Sequence, residues 1–201
     1  MTTLRVFFTA KRNDFGSRTI CRITGGQYSH SGVVFADPER PAATWQAYES
    51  WMTKDPATGT NGVRATEYGR ILGWQAEDPA NHILATLDVQ APAPLTEAET
   101  AKAAAIMQHA VGRIGYAYIQ IAGNWLAART GIALTFRAGS PNQWTCSETV
   151  LRALPPRLWP AFGIPNWRAD DLAPSGTRLP SIEAGLLTLA AEPRTPACSE
   201  C

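Results

Sequence analysis

Tyr28-Ser29-His30-Ser31-Gly32-Val33-Val34-Phe35 carries a histidine into an apolar run. Bounded by Gly25-Gly26 and by the turn Asp37-Pro38-Glu39-Arg40-Pro41, it predicts a strand. Thr44 to Glu49 then predicts the returning arm of an antiparallel hairpin. Outward from this pair, Leu4-Arg5-Val6-Phe7-Phe8 predicts an earlier strand, and Val63 to Thr66 and His82 to Val89 predict two later ones. A short helix is expected over Ser17 to Thr24, capped by Asp14 or Ser17 and ending at the two glycines.

The second half of the chain changes period. After the spacer Ala91-Pro92-Ala93-Pro94, Thr96 with Glu99 three residues on forms a capping box for a helix through Val111. A second helix is expected over Tyr116 to Arg129, broken by Gly131. A third runs from about Cys146 to Leu154, stopped by Pro155-Pro156. From Leu158 onward proline and glycine recur too often for long elements, and the stretch from Glu192 reads as an exposed tail.

At 201 residues and 45% apolar content, the chain can bury one sizeable core. With 18 basic and 17 acidic residues and no basic stripe interleaved with aromatics, nucleic-acid binding has little support. No apolar run reaches bilayer-spanning length, so no transmembrane segment is expected. Val6-Phe7-Phe8 is too short for a secretory signal, which implies cytoplasmic synthesis. Four cysteines do not make a disulfide scaffold.

Cys146 sits in Trp144-Thr145-Cys146-Ser147-Glu148 at a helix start, where the macrodipole and free backbone N–H groups favour a thiolate and an oxyanion. The plain alternative is a small buried hydrophobe. His30 could serve as its base, against the alternative of a structural or exposed histidine. Gly32 beside it would leave room for another group. Glu49, in Ala47-Tyr48-Glu49-Ser50, could bind the second imidazole nitrogen as a triad's third member does, or be a solvated strand-end carboxylate. His82 and His109 share no metal-ligand spacing, and Cys21 reads as core packing. Trp125, Trp144, Trp159 and Trp167 could line a groove near Cys146, although core or interface packing is their commoner role.

Tyr28-Ser29-His30-Ser31-Gly32-Val33-Val34, then Tyr48-Glu49 with Gly62-Val63-Arg64, and finally Trp144-Thr145-Cys146-Ser147-Glu148 resemble the circularly permuted branch of the NlpC-type papain-like cysteine hydrolases, related to the lecithin:retinol acyltransferase group. In that branch the histidine strand precedes the cysteine helix. Secondary matches are Gly115-Tyr116-Ala117-Tyr118, with Ala117 where an aspartate is common, and Ala169-Asp170-Asp171-Leu172. The resemblance implies a permuted papain-like fold of the α+β class, a small antiparallel sheet packed against helices, with Cys146 as nucleophile, His30 as general base and acid, and Glu49 as orienting group. Tyr116 or Tyr118 would complete the oxyanion hole. The hydrolase domain would cover residues 1–175, with an extended C-terminal segment over residues 176–201.

The implied chemistry is acyl transfer through an acyl-enzyme, and the expected substrate is an amide bond in peptidoglycan stem peptides. Because no signal peptide is read, the enzyme would be carried on a virion or released by lysis. Two other readings stand beside this one. The first is a structural component of a bacteriophage tail tip or similar assembly, with an idle site. In that reading Cys198 and Cys201 of the terminal Cys-Ser-Glu-Cys would bind zinc or an iron–sulfur cluster, while a local disulfide or a solvent-exposed end are the alternatives for this pair. The second is a lipid-directed acyl hydrolase or acyltransferase, which requires an apolar groove. Catalysis itself needs no cofactor.

Overall fold

The computed structural model describes residues 2–24, 27–55, 59–89, 95–117 and 142–158. Five strands form one antiparallel sheet: β1 (Thr3–Lys11), β2 (His30–Ala36), β3 (Gln46–Trp51), β4 (Gly62–Glu67) and β5 (His82–Asp88). Their order is β4-β3-β2-β1-β5, so β5 returns to pair with the N-terminal strand. Four α-helices are described: α1 (Phe15–Thr24), α2 (Tyr68–Glu77), α3 (Glu97–Ala110) and α4 (Cys146–Ala153). The fold is α+β with an antiparallel sheet, as expected.

Both faces of the central strands are covered, which is why β2 is an almost unbroken buried run rather than an alternating one. Leu4, Val6 and Phe8 of β1 and Val33 and Phe35 of β2 face a core shared with Met107 of α3 and Val150 and Leu151 of α4. Phe7 and Val34 point the other way, into a smaller core with Tyr68 and Ile71 of α2. The result is three layers, with α2 on one side and α3 and α4 on the other.

Helix α2 has no counterpart in the sequence reading. It holds two glycines, lacks an acidic residue in its first turn, and has no side-chain cap. Tertiary contacts hold it instead: Tyr68 stacks on Trp45 at 6.2 Å between ring centroids, its hydroxyl meets Thr86 Oγ1 at 2.8 Å, and Ile71 is buried. Gly69 lets the helix approach the preceding turn, because a Cβ there would lie 2.8 Å from the Ala43 carbonyl oxygen.

A second difference concerns Tyr116, expected to open a helix. Gly115–Tyr116 is instead a short strand, β6, paired in parallel with β7 (Gln143–Trp144). The Gly115 N–H donates to the Asn142 carbonyl at 2.8 Å, so this backbone is spent across the chain rather than along a helix. Residues 118–129 of that expected helix lie outside the described residues.

Candidate active site

The site begins with strand register. Glu49 on β3 lies opposite Gly32 of β2 and opposite Arg64 of β4. His30 is two residues from Gly32, which makes it the diagonal neighbour of Glu49, within reach of a long side chain. Glu49 Oε2 meets His30 Nε2 at 2.9 Å, and Glu49 Oε1 accepts from Arg64 Nε at 3.0 Å and Nη2 at 2.9 Å. The carboxylate is 0% exposed, so Glu49 is a buried ion-paired group rather than a solvated strand end.

No room is left at Gly32 for a substrate or another catalytic group. A Cβ there would run into the Phe7 ring and lie 2.7 Å from the Tyr48 carbonyl oxygen. Glycine is required because the Phe7 ring fills that space, so the group for which Gly32 leaves room is this ring.

Cys146 is the first residue of α4, and Thr145 is its N-cap. Thr145 Oγ1 accepts from the Glu148 N–H at 3.2 Å, and Glu148 Oε2 accepts from the Thr145 N–H at 2.8 Å. This capping box is the Thr-x-x-Glu pattern of Thr96 and Glu99 repeated, a signal present in the sequence that was read at α3 alone. The box uses the N–H groups of Thr145 and Glu148, and those of Cys146 and Ser147 are not part of it. Ser50 Oγ donates to the Trp144 carbonyl at 2.9 Å, which ties this turn to the strand that carries Glu49.

These elements set the Cys146 thiol close enough to the His30 ring for each to influence the charge of the other. Burial disfavours the charged ring, but hydrogen bonds to Cys146 and Glu49 and the negative charge of both outweigh it, raising the His30 pKa from 6.5 to about 9. At neutral pH the ring therefore carries its second proton. Burial likewise pushes Glu49 up, but the His30 hydrogen bond, its charge and the Arg64 charge hold the carboxyl below the usual carboxylate range. Cys21 differs: burial raises its thiol pKa, opposed by hydrogen bonds to its own backbone and to Ser17.

No protein-family model matches this chain, and no curated protein or solved structure does.

Beside the site lies a cleft of about 660 Å³ whose wall includes His30, Trp51, Met52, Ile71, Trp74 and Tyr116. These aromatic and aliphatic side chains share the lining with polar ones, among them Ser17, Ser29 and Gln75, and with the charged Lys11, Asp14 and Glu77. Cys146, 9% exposed, is not itself a lining residue. Among the described residues, the tryptophans of this cleft are Trp51 and Trp74, in edge contact at 5.8 Å. Trp144 is buried with the Arg152 guanidinium 4.7 Å from its ring centroid, while Trp125, Trp159 and Trp167 lie outside the described residues.

Of the two tyrosines considered for an oxyanion hole, Tyr116 reaches the cleft and Tyr118 lies outside the described residues. Cys198 and Cys201 also lie outside them. Among the described residues there is no cluster of His, Cys, Asp and Glu able to hold a metal, and no helix long and apolar enough to cross a membrane.

Proposed function

We propose that this protein is a cysteine hydrolase of the permuted papain-like type. The observation that carries the proposal is one constellation: Cys146 at the first position of a capped helix, beside an imidazole whose Nε2 is held by a buried, ionised Glu49. A nucleophile, a base and an orienting group in that sequence of contacts suit acyl transfer.

The cycle follows from the proton on His30. The Cys146 thiolate attacks the carbonyl carbon, and the tetrahedral oxyanion is stabilised by the Cys146 and Ser147 N–H groups. As the C–N bond breaks, His30 gives its proton to the departing amine, leaving a thioester on Cys146. Neutral His30 then takes a proton from water as the hydroxide adds. The C–S bond breaks, releasing the acid and restoring the thiolate–imidazolium pair.

For the substrate, an amide bond of peptidoglycan stem peptides is the first reading. A lipid-directed acyl hydrolase or acyltransferase is the second, and one observation favours it: a cleft walled by Trp51, Trp74, Met52 and Ile71 suits an apolar acyl group better than a polar peptide.

Two measurements test both levels. Iodoacetamide labelling at pH 7, read by peptide mass spectrometry, should modify Cys146 at least tenfold faster than Cys21, whose thiol is held protonated by burial. Equal rates at the two thiols, or labelling confined to Cys198 and Cys201, would defeat the hydrolase. Release of muropeptides from sacculi, abolished by Cys146→Ala, supports the first substrate. Hydrolysis of nitrophenyl acyl esters that quickens with chain length, with sacculi untouched, supports the second.

A further inference from the structure

Arg64 and Trp51 stand around the same carboxylate and ring, and neither has a part in the acyl-transfer steps. The Arg64 guanidinium donates through Nε and Nη2 to a single oxygen of Glu49, Oε1, leaving Oε2 wholly for His30. Its Cζ lies 4.5 Å from the centroid of the Trp51 ring. Trp51 in turn lies 4.8 Å from the His30 ring, centroid to centroid, inclined at 52°. Four side chains from three adjacent strands thus close a circuit: His30, Glu49, Arg64, Trp51 and back to His30.

The division of the carboxylate between two partners matters. A carboxylate removed from water has to be satisfied at both oxygens, or it takes up a proton or rotates toward a better donor. Two parallel donors on Oε1 oppose rotation about the terminal bond of Glu49, and that in turn aims Oε2 at Nε2. The planar guanidinium also packs on the indole, which a lysine ammonium would do less well. Trp51 then bounds one side of the imidazole, while its indole N–H faces Glu49 without meeting hydrogen-bond geometry.

We propose that Arg64 is a positioning residue of this site, fixing through Glu49 and Trp51 the orientation in which the His30 ring meets Cys146. The inference rests on the hydrolase reading for its purpose but not for its geometry. Among the described residues, the charged groups paired with Glu49 are His30 from β2 and Arg64 from β4, with Cys146 of α4 acting on the His30 ring.

The test compares the full chain with Arg64→Met and Arg64→Lys by two readouts. The first is the His30 ring resonances in an NMR titration, whose acidic inflection reports protonation of Glu49. The second is the iodoacetamide rate at Cys146 against pH. In Arg64→Met the acidic inflection should move up by roughly one pH unit, because the carboxylate loses its fixed cation. Cys146 alkylation at pH 6 should fall about tenfold. Arg64→Lys keeps the charge, so its inflection should move less, but the alkylation rate should still fall about threefold for want of the second donor and the stacked plane.

Folded variants with a lowered Tm but unchanged inflection and alkylation profile would overturn the proposal and leave Arg64 a structural support. If Arg64→Met does not fold, Arg64→Lys decides alone, and a wild-type alkylation rate in it overturns the inference. A wild-type Cys146 no more reactive than Cys21 counts against the hydrolase reading instead, and the NMR titration then judges Arg64 by itself.

Discussion

At the residue scale the site is an electrostatic arrangement, and pH reveals it. His30 has a folded-state pKa of about 9 against 6.5 ordinarily, so its stabilisation is fully present below pH 6.5 and is lost as pH rises through about 9. That shift corresponds to about 3 kcal/mol at most, shared with the groups it pairs with. Glu49 is shifted downward, so its contribution is present above the ordinary carboxyl value of 4.5 and is lost as pH falls through the lowered one. Thermal unfolding should accordingly show greatest stability between about pH 4.5 and 6.5 and a decline toward pH 10. Glu49→Gln should flatten the alkaline decline, and an equally steep decline in that variant would contradict the assignment. His30, Glu49 and Cys146 were legible in the sequence because each stands in a motif of recognisable local chemistry. Arg64 and Trp51 were not, because their roles depend on which strand lies beside which.

At the scale of the element, two capping boxes of the same chemistry provide a matched pair. Thr96 with Glu99 starts α3, and Thr145 with Glu148 starts α4. Thr96→Ala and Thr145→Ala should each cost about 1 kcal/mol in urea unfolding. Only Thr145→Ala should also slow Cys146 alkylation, because that box sets the turn presenting the thiol and its neighbouring N–H groups. Equal loss of alkylation in both would show that general destabilisation, rather than the cap, governs the thiol. Strands and capped helices were readable because alternation and Thr-x-x-Glu spacing are local signals. Helix α2 was not, since its glycines weaken the periodic signal and its contacts with Trp45 and Thr86 come from elsewhere in the chain.

At the scale of the whole molecule, the site depends on a backbone splice between the sheet edge and the cysteine turn. Gly62 opens β4 at φ +108°, a conformation that side-chain-bearing residues rarely adopt, and a Cβ there would collide with the Ile114 carbonyl oxygen. The Val63 N–H donates to that same carbonyl at 2.9 Å, and the Gly112 N–H to Val63 at 3.2 Å. The next residues, Gly115 and Tyr116, pair with the strand that leads into Cys146. Gly62→Ala should therefore destabilise the protein by more than about 1 kcal/mol and lower Cys146 alkylation, although Gly62 touches neither Cys146 nor His30. A stable Gly62→Ala variant with full alkylation would show that the splice does not hold the turn.

The sequence by itself determined the fold class, the strands and capped helices, and the chemical identity of His30, Glu49 and Cys146, because periodicity, caps and side-chain chemistry are properties of neighbouring residues. Only the tertiary structure decided that β5 returns beside β1, that Arg64 faces Glu49, that Phe7 fills the gap at Gly32, and that Trp51 and Trp74 wall the cleft. Each of these depends on strand register and packing between distant segments. A shift of one residue in that register would turn Glu49 to the opposite face of the sheet while leaving every local signal unchanged.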